Sequence, residues 1–250
     1  MELIVLGSGA SFPVVGDVRN PAGYAAVLGR DVLLFDLGFG NLLQLFRAGV
    51  DPSRVTDVFL THRHPDHVGD LAALLFTLRY DLKPKSGRLR VWGPRGIKRF
   101  ISDLSKAYAP WLGPRDYALE IRELKSAARA QGRDWTLTCA SVPHPTPALS
   151  YRLLYKGKSL VYSGDTGFSP ELAEFAAGAD LFVIECTVTK PSEAADFGHL
   201  TPELAIATIE ASGCRRGLLS HLSVESARKA RKLAHGSRIL IARDLMRLKI

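Results

Sequence analysis

The segment Thr61-His62-Arg63-His64-Pro65-Asp66-His67 packs three imidazoles and a carboxylate into six residues, directly after the apolar run Val55–Leu60. That run is short and rich in β-formers, so it reads as a strand that ends at Thr61. Imidazole nitrogen and carboxylate oxygen suit zinc and neighbouring divalent metals. His62 and His64 are two apart, so on an extended backbone they point the same way. Pro65 forces a turn, which lets Asp66 and His67 face a second position. One mononuclear site seldom needs four ligands so close together, so the spacing suggests two adjacent ions. The plainer alternative is a polar loop at a helix start with Asp66 as its cap. A bare HxH would favour that alternative, whereas HxHxDH after a strand favours metal.

Composition narrows the setting. The chain has 250 residues, 46% of them hydrophobic, enough to bury a sizeable core. Charged residues make up 23%, which excludes wholesale disorder. With 33 Lys+Arg against 25 Asp+Glu, the net charge of +8 permits an anionic substrate or a nucleic-acid partner but is also common among ordinary enzymes. Cys139, Cys186 and Cys214 are odd in number and lie far apart with no CxxC, so reduced buried thiols are expected rather than a disulfide framework. MELIVLGSG has no basic region ahead of its apolar run and reads as a first strand, not a signal peptide. No stretch approaches ~18 uncharged apolar residues, so no membrane partner is expected and the cytoplasm is the expected location.

Along the chain, Ala25–Gly38 reads as two strands joined at Gly29-Arg30, followed by a helix over 41–48. His62 to Asp70 reads as a polar loop, and Leu71–Arg79 as an apolar helix whose leucines suit a core or a homodimer surface. A strand at 88–92 precedes a helix over 97–108, and Trp135–Val142 alternates like a strand. Leu149–Leu154 and Ser159–Tyr162 form a hairpin across residues 156–158. Ser169-Pro170 and Thr201-Pro202 are N-cap signals for two helices, the first running to Gly178. Strands are expected at 181–184, 218–220 and 238–241, with a helix over 225–233. The pattern predicts one α/β domain spanning 1–250, sheets inside and helices outside.

THRHPDH resembles the HxHxDH motif of the metallo-β-lactamase superfamily, and the superfamily's later motifs occur in order. His144 follows the strand at 135–142. Asp165 sits in Tyr162-Ser163-Gly164-Asp165-Thr166-Gly167, and His221 follows Leu218–Ser220. The resemblance covers essentially the whole chain and implies a four-layer αββα sandwich. It further implies that His62, His64 and His144 hold one metal ion, that Asp66, His67 and His221 hold a second, and that Asp165 bridges them. Two divalent ions, zinc in the first place with manganese or iron also compatible, would hold a hydroxide between them as nucleophile.

This ligand set suits phosphodiesters, thioesters and lactams equally, so neighbouring residues must choose. Glu185-Cys186-Thr187, Gly198-His199-Leu200-Thr201-Pro202-Glu203 and Leu219-Ser220-His221-Leu222-Ser223 look like the C-terminal half of the ribonuclease Z branch. The resemblance implies that His199 donates a proton, assisted by Glu185. With Asp66, these form the candidate catalytic group. The alternative is a buried pair supporting the helix at Thr201. Leu6-Gly7-Ser8-Gly9, then Pro13 and Arg19-Asn20-Pro21, resemble that branch's opening loop. Phe35-Asp36-Leu37-Gly38 matches its FDxG. Asp36 would orient a metal-ligating histidine through its other ring nitrogen or else cap a turn, and Arg19 would contact a substrate phosphate or stand as a surface arginine.

One departure bears on substrate. Ribonuclease Z enzymes that mature transfer RNA commonly carry a protruding RNA-gripping arm between the counterparts of His144 and Asp165, and the twenty residues here leave no room for it. The basic residues Lys83, Lys85, Arg88, Arg90, Arg95, Lys98 and Arg99 read as solvated edges, and His235 as a surface residue near a helix end. The resulting expectation is a dinuclear phosphodiesterase acting on a small phosphodiester. A transfer-RNA 3′-end endonuclease, a thioester or lactone hydrolase, and a non-catalytic binding protein are the alternatives.

Overall fold

Leu3 and Val5 point to one side of the first strand and Ile4 and Leu6 to the other, and all four are buried in two separate apolar clusters. The same split recurs at Leu33 and Phe35 against Val32 and Leu34, and at Leu181 and Val183 against Phe182 and Ile184. Side chains alternate across a strand, so these are sheets covered on both faces.

The structure, a computed structural model, describes residues 1–11, 14–80, 87–234, 236 and 238–250. The chain opens with β1 (Glu2–Gly7), β2 (Gly23–Leu28), β3 (Asp31–Leu37) and α1 (Asn41–Arg47). Next come β4 (Val55–Phe59), α2 (Pro65–Val68), α3 (Leu71–Tyr80), β5 (Arg88–Gly93) and α4 (Ile97–Ala107). The middle is β6 (Ala118–Glu123), β7 (Arg129–Gln131), β8 (Trp135–Ser141), β9 (Leu149–Tyr155) and β10 (Lys158–Tyr162). It continues through α5 (Pro170–Phe175), β11 (Leu181–Cys186), α6 (Pro191–Phe197) and α7 (Pro202–Ser212). The last elements are β12 (Gly217–Leu222), α8 (Val224–Leu233), β13 (Ile239–Ile241) and β14 (Arg247–Lys249).

Two seven-stranded sheets result, ordered β14-β1-β2-β3-β4-β5-β6 and β13-β12-β11-β10-β9-β8-β7. The cluster of Phe35, Phe59, Trp92, Trp135, Tyr151 and Tyr162 lies between them. α1, α3 and α4 cover the outside of the first sheet, and α5, α7 and α8 the outside of the second, which makes the four-layer αββα sandwich. Within the sheets β3-β4-β5-β6 and β10-β11-β12-β13 run parallel. Parallel strands bring their carboxyl ends to one edge, where an open α/β architecture forms its ligand crevice. Here that edge collects Asp36, the Thr61–His67 segment, Asp165, Glu185 and His221.

Two β-bulges shape it. In the β2–β3 pair Gly23 opposes Leu37 and Tyr24 opposes Phe35, which leaves Asp36 as an extra residue at φ 56°. In the β11–β12 pair Glu185 opposes Ser220 and Cys186 opposes Leu222, which leaves His221 extra at φ 52°. A bulge re-aims the extra side chain out of the ordinary alternation.

Several expectations are corrected. The segment 62–70 is not simply a polar loop: Pro65 starts the short helix α2, and Asp66 and His67 are buried on it. The strand expected at 218–220 runs on to Leu222, so His221 lies within it. α5 stops at Phe175, short of Gly178. The leucines of α3 belong to the core, leaving Phe76 and Tyr80 outward. Arg90 is not a solvated edge residue. It is buried, paired with Asp57 at 2.7 Å, with Trp92 and Trp135 rings each 5.4 Å away. Arg88, Arg95, Lys98 and Arg99 are exposed, whereas Pro13, Lys83, Lys85 and His235 lie outside the described residues. The edge strands β6, β7 and β14 and the helix α6 carry too little buried apolar periodicity to announce themselves in sequence. All three cysteines are free and buried. Among the described residues no helix is long and apolar enough to cross a membrane.

Candidate metal centre

Each ring-nitrogen proton of four histidines is held by a fixed acceptor, which turns the other nitrogen inward. Asp36 is fully buried and accepts from Thr61 N at 2.7 Å, Thr61 Oγ1 at 2.8 Å, Tyr162 OH at 2.7 Å and His67 Nδ1 at 2.7 Å. Because the Thr61 hydroxyl gives its proton to Asp36, it can only accept from His62 Nδ1, 3.0 Å away. The Thr187 hydroxyl likewise donates to Glu185 Oε2 at 2.7 Å and accepts from His221 Nδ1 at 2.7 Å. His144 Nδ1 donates to the Gly198 carbonyl at 3.2 Å. These partners fix the ring orientation of His62, His67, His144 and His221 with the Nδ1 proton committed outward and Nε2 turned to the cluster as the nitrogen open to a metal ion.

The inward atoms converge. His67 Nε2 is 3.2 Å from His221 Nε2 and 3.2 Å from Asp165 Oδ2. His62 Nε2 is 3.7 Å from the same Asp165 oxygen. His144 Nε2 is 3.4 Å from His64 Nδ1. His221 Nε2 lies 3.4 Å from Asp66 Oδ2 and 3.5 Å from Asp165 Oδ1. His62, His64, His144 and Asp165 therefore present ligand atoms within 4.8 Å of one another, as do Asp66, His67 and His221. His62 Nε2 and Asp165 Oδ1 are buried without a hydrogen-bond partner among the described residues. Lone pairs facing lone pairs in a buried site are costly unless a cation lies between them, so the donors fit divalent ions.

Protons respond to the same field. Burial opposes charge on Asp165, yet the His221 and His67 imidazoles hold its carboxyl well below the usual range. Burial also opposes charge on His67, and the Asp165 and Asp36 carboxylates override it and raise that imidazole. Burial and the neighbouring His67 push His62 down, and burial lowers His64 and His144. The carboxylates draw positive charge to the cluster, while burial favours the neutral form of His62, His64 and His144 that metal ligation needs.

Beside it stands His199, whose Nδ1 is 2.7 Å from Glu185 Oε1. Burial disfavours the imidazolium, but the Glu185 carboxylate wins and the group is raised to about 9. Glu185 is itself buried and further accepts from the backbone of Thr166, Thr187 and Leu200. Asp165, His199 and His221 also offer ligand atoms within 4.8 Å of one another, so His199 stands at the edge of the donor cluster. The glycine before Asp165 is required: Gly164 sits at φ 61°, and a Cβ there would meet Thr61 Cβ at 2.8 Å. Arg19 is placed differently from the rest. Its guanidinium forks onto Asp17 at 2.8 and 2.5 Å, in the wall of a cavity of about 900 Å³ shared with Thr187, Lys190 and Arg228. Sequence reasoning gave no role to Thr61, Tyr162, Thr187 or Gly198. The available signal was a hydroxyl residue next to a ligand histidine or at a strand end nearby.

Residues 32–222 match the beta-lactamase superfamily domain, and the chain belongs to that superfamily of metal-dependent hydrolases. Within it the chain is ribonuclease Z-like. It is 31% identical over 304 aligned positions to Ribonuclease Z of Ignicoccus hospitalis, spanning 100% of this chain and 98% of the relative. The fold is shared with YhfI of Bacillus subtilis (TM-score 0.82, 22% identity, 99% of each chain). It is also shared with the short form of human tRNase Z (TM-score 0.81, 22% identity, 100% of this chain and 99% of that one). Zinc-bound PqqB of Methylobacterium extorquens has the same fold at TM-score 0.76, 17% identity and complete coverage of both chains.

Proposed function

We propose that the chain is a phosphodiesterase that uses two divalent ions, zinc being the ion these donors suit best and manganese or iron also fitting them. His62, His64 and His144 would hold one, Asp66, His67 and His221 the other, and Asp165 would bridge. Ions held there lower the pKa of water towards ~7 and offset charge developing on the phosphoryl oxygens.

The observation that carries the reading is the Glu185–His199 pair at 2.7 Å beside the donor cluster. An alkoxide leaving group needs a proton as the P–O bond breaks. His199 holds one at the edge of the cluster, and Glu185 stabilises the charged imidazole and fixes its orientation. A thioester hydrolase has less need of such an acid, because a thiolate leaves without one.

A small phosphodiester is favoured over transfer RNA. The interval between His144 and Asp165 contains only β9, the two-residue turn Lys156-Gly157 at φ 49° and 73°, and β10. The 304 aligned positions against 250 residues also mean that more than fifty positions of the Ignicoccus relative have no counterpart here. The relatives' name keeps a transfer-RNA 3′-end endonuclease as the second reading. A homodimer would use the outward side of α3, where Phe76 is exposed, since its leucines face the core. Metal-loaded protein should be assayed side by side on bis-p-nitrophenyl phosphate, a cyclic nucleotide, precursor transfer RNA and a thioester. Diester turnover with no thioester turnover is expected, and a preference for the thioester overturns the reading.

A further inference from the structure

A second cavity, of about 350 Å³, lies beside His144, between the turn after β5 and the segments flanking β8. Its wall carries Arg95, Lys125, Ser126, Ser141 and Thr146 together with His144, and among the described residues no lining residue is acidic. Arg95 and Lys125 are exposed, and among the described residues neither forms a salt bridge. Arg63, between the two histidines of the motif, adds a third cation: its guanidinium carbon lies 3.4 Å from where a Cβ on Gly96 would stand, beside Arg95. The larger cavity near Arg19 differs in kind, since Asp17, Glu193 and Glu225 alternate there with its basic residues.

Cations without counter-ions, in a wall with no acidic lining residue and beside the metal centre, describe a pocket suited to an anion. Arginine and lysine donors match the oxygens of a phosphoryl group, and the pocket shares His144 with the metal centre. We propose that this cavity binds a second phosphoryl group of the substrate, carried next to the diester that the metal centre cleaves. The inference rests on the phosphodiesterase reading and adds a substrate class to it. The substrate bears at least two phosphates, either as a polynucleotide or as a small phosphorylated diester.

The test compares thymidine 5′-(p-nitrophenyl phosphate) with the same compound carrying a 3′-phosphate, in wild type and in the double variant Arg95→Ala/Lys125→Ala. Wild type should show kcat/KM higher by about tenfold or more for the 3′-phosphorylated compound, the usual scale for charge-assisted contacts. In the variant the ratio should fall towards one, and the ratio cancels any change at the metal centre itself. A wild-type ratio near one, or a ratio that survives in the variant, overturns the proposal. Inhibition by oligothymidylate against thymidine 3′,5′-bisphosphate then separates the two sources of the phosphate. Calorimetry of thymidine 3′,5′-bisphosphate with metal-free protein reads the pocket without turnover. Binding about tenfold weaker in the variant supports the pocket even if no diester is hydrolysed, which would sink the phosphodiesterase reading alone. Equal binding by both proteins sinks the pocket.

Discussion

Asp36 and His221 stand on opposite sheets in the same uncommon backbone state, each the extra residue of a β-bulge, at φ 56° and 52°. Non-glycine residues pay roughly 1–3 kcal/mol for such conformations and hold them only where the surroundings over-determine them. The return is position. The bulges turn a carboxylate and an imidazole out of the strand alternation, one under the cluster and one into it. Asp36 then serves as acceptor for four donors at once.

Asp36→Asn keeps the shape but places an amide donor where four donors already point. Metal affinity should fall by about 10–100-fold. Metal-free protein should lose about 1–3 kcal/mol for each donor left unpaired. Competition of zinc against a chelator and denaturant unfolding check the two effects. Unchanged zinc affinity would contradict the assigned orientation of His67.

Asp165→Ala removes the carboxylate whose two oxygens face His67, His62 and His221. Wild type purified metal-free and refilled with zinc should bind close to two ions per chain, as two complete donor sets require. The variant should bind fewer and lose most of its turnover. Elemental analysis with a parallel diester assay decides it. Full turnover with only one ion bound rules out the dinuclear assignment.

His199→Ala should discriminate between leaving groups. Loss of a general acid costs about 10²–10⁴-fold where the leaving oxygen is an alkoxide, and much less for p-nitrophenolate, which departs unaided. Rates on an alkyl ester and on bis-p-nitrophenyl phosphate give the comparison. Equal losses on both assign His199 a packing role.

The proton on His199 is the fourth test. In metal-free protein its NMR titration should centre near pH 9, because Glu185 overrides burial. In Glu185→Gln burial acts without that carboxylate, and the midpoint should drop below the ordinary 6.5. The folded value is the raised one, so the pair's contribution to stability is complete below about 6.5 and is lost as pH rises through 9. Turnover of alkyl esters should decline in the same direction. Its limb should lie below the NMR midpoint in loaded enzyme, since bound cations repel an imidazolium. A midpoint near 6.5 in both proteins removes the basis for the acid assignment.

Much of this was legible in the chain itself. HxHxDH after an apolar strand announced a metal-binding turn because its donors are neighbours in sequence, where local geometry alone relates them. His144, Asp165 and His221 could be placed by motif and order, and the paired faces of β1, β3 and β11 follow from apolar residues in successive positions. Arg90 misled because a buried arginine and an exposed one look alike until the carboxylate and the aromatic rings that enclose it are brought up by other strands. The leucines of α3 were ambiguous for the same reason.

What the sequence by itself determined is the inventory of donors and the strands that carry them. What only the tertiary structure decided is which nitrogen each histidine turns inward. That choice depends on acceptors far along the chain: Asp36 for His67, the Gly198 carbonyl for His144, and Thr187 for His221. Two of the positions depend on bulges that exist only once strands are paired. Hydrogen-bond direction and strand register are properties of contacts between segments, and no single segment contains them.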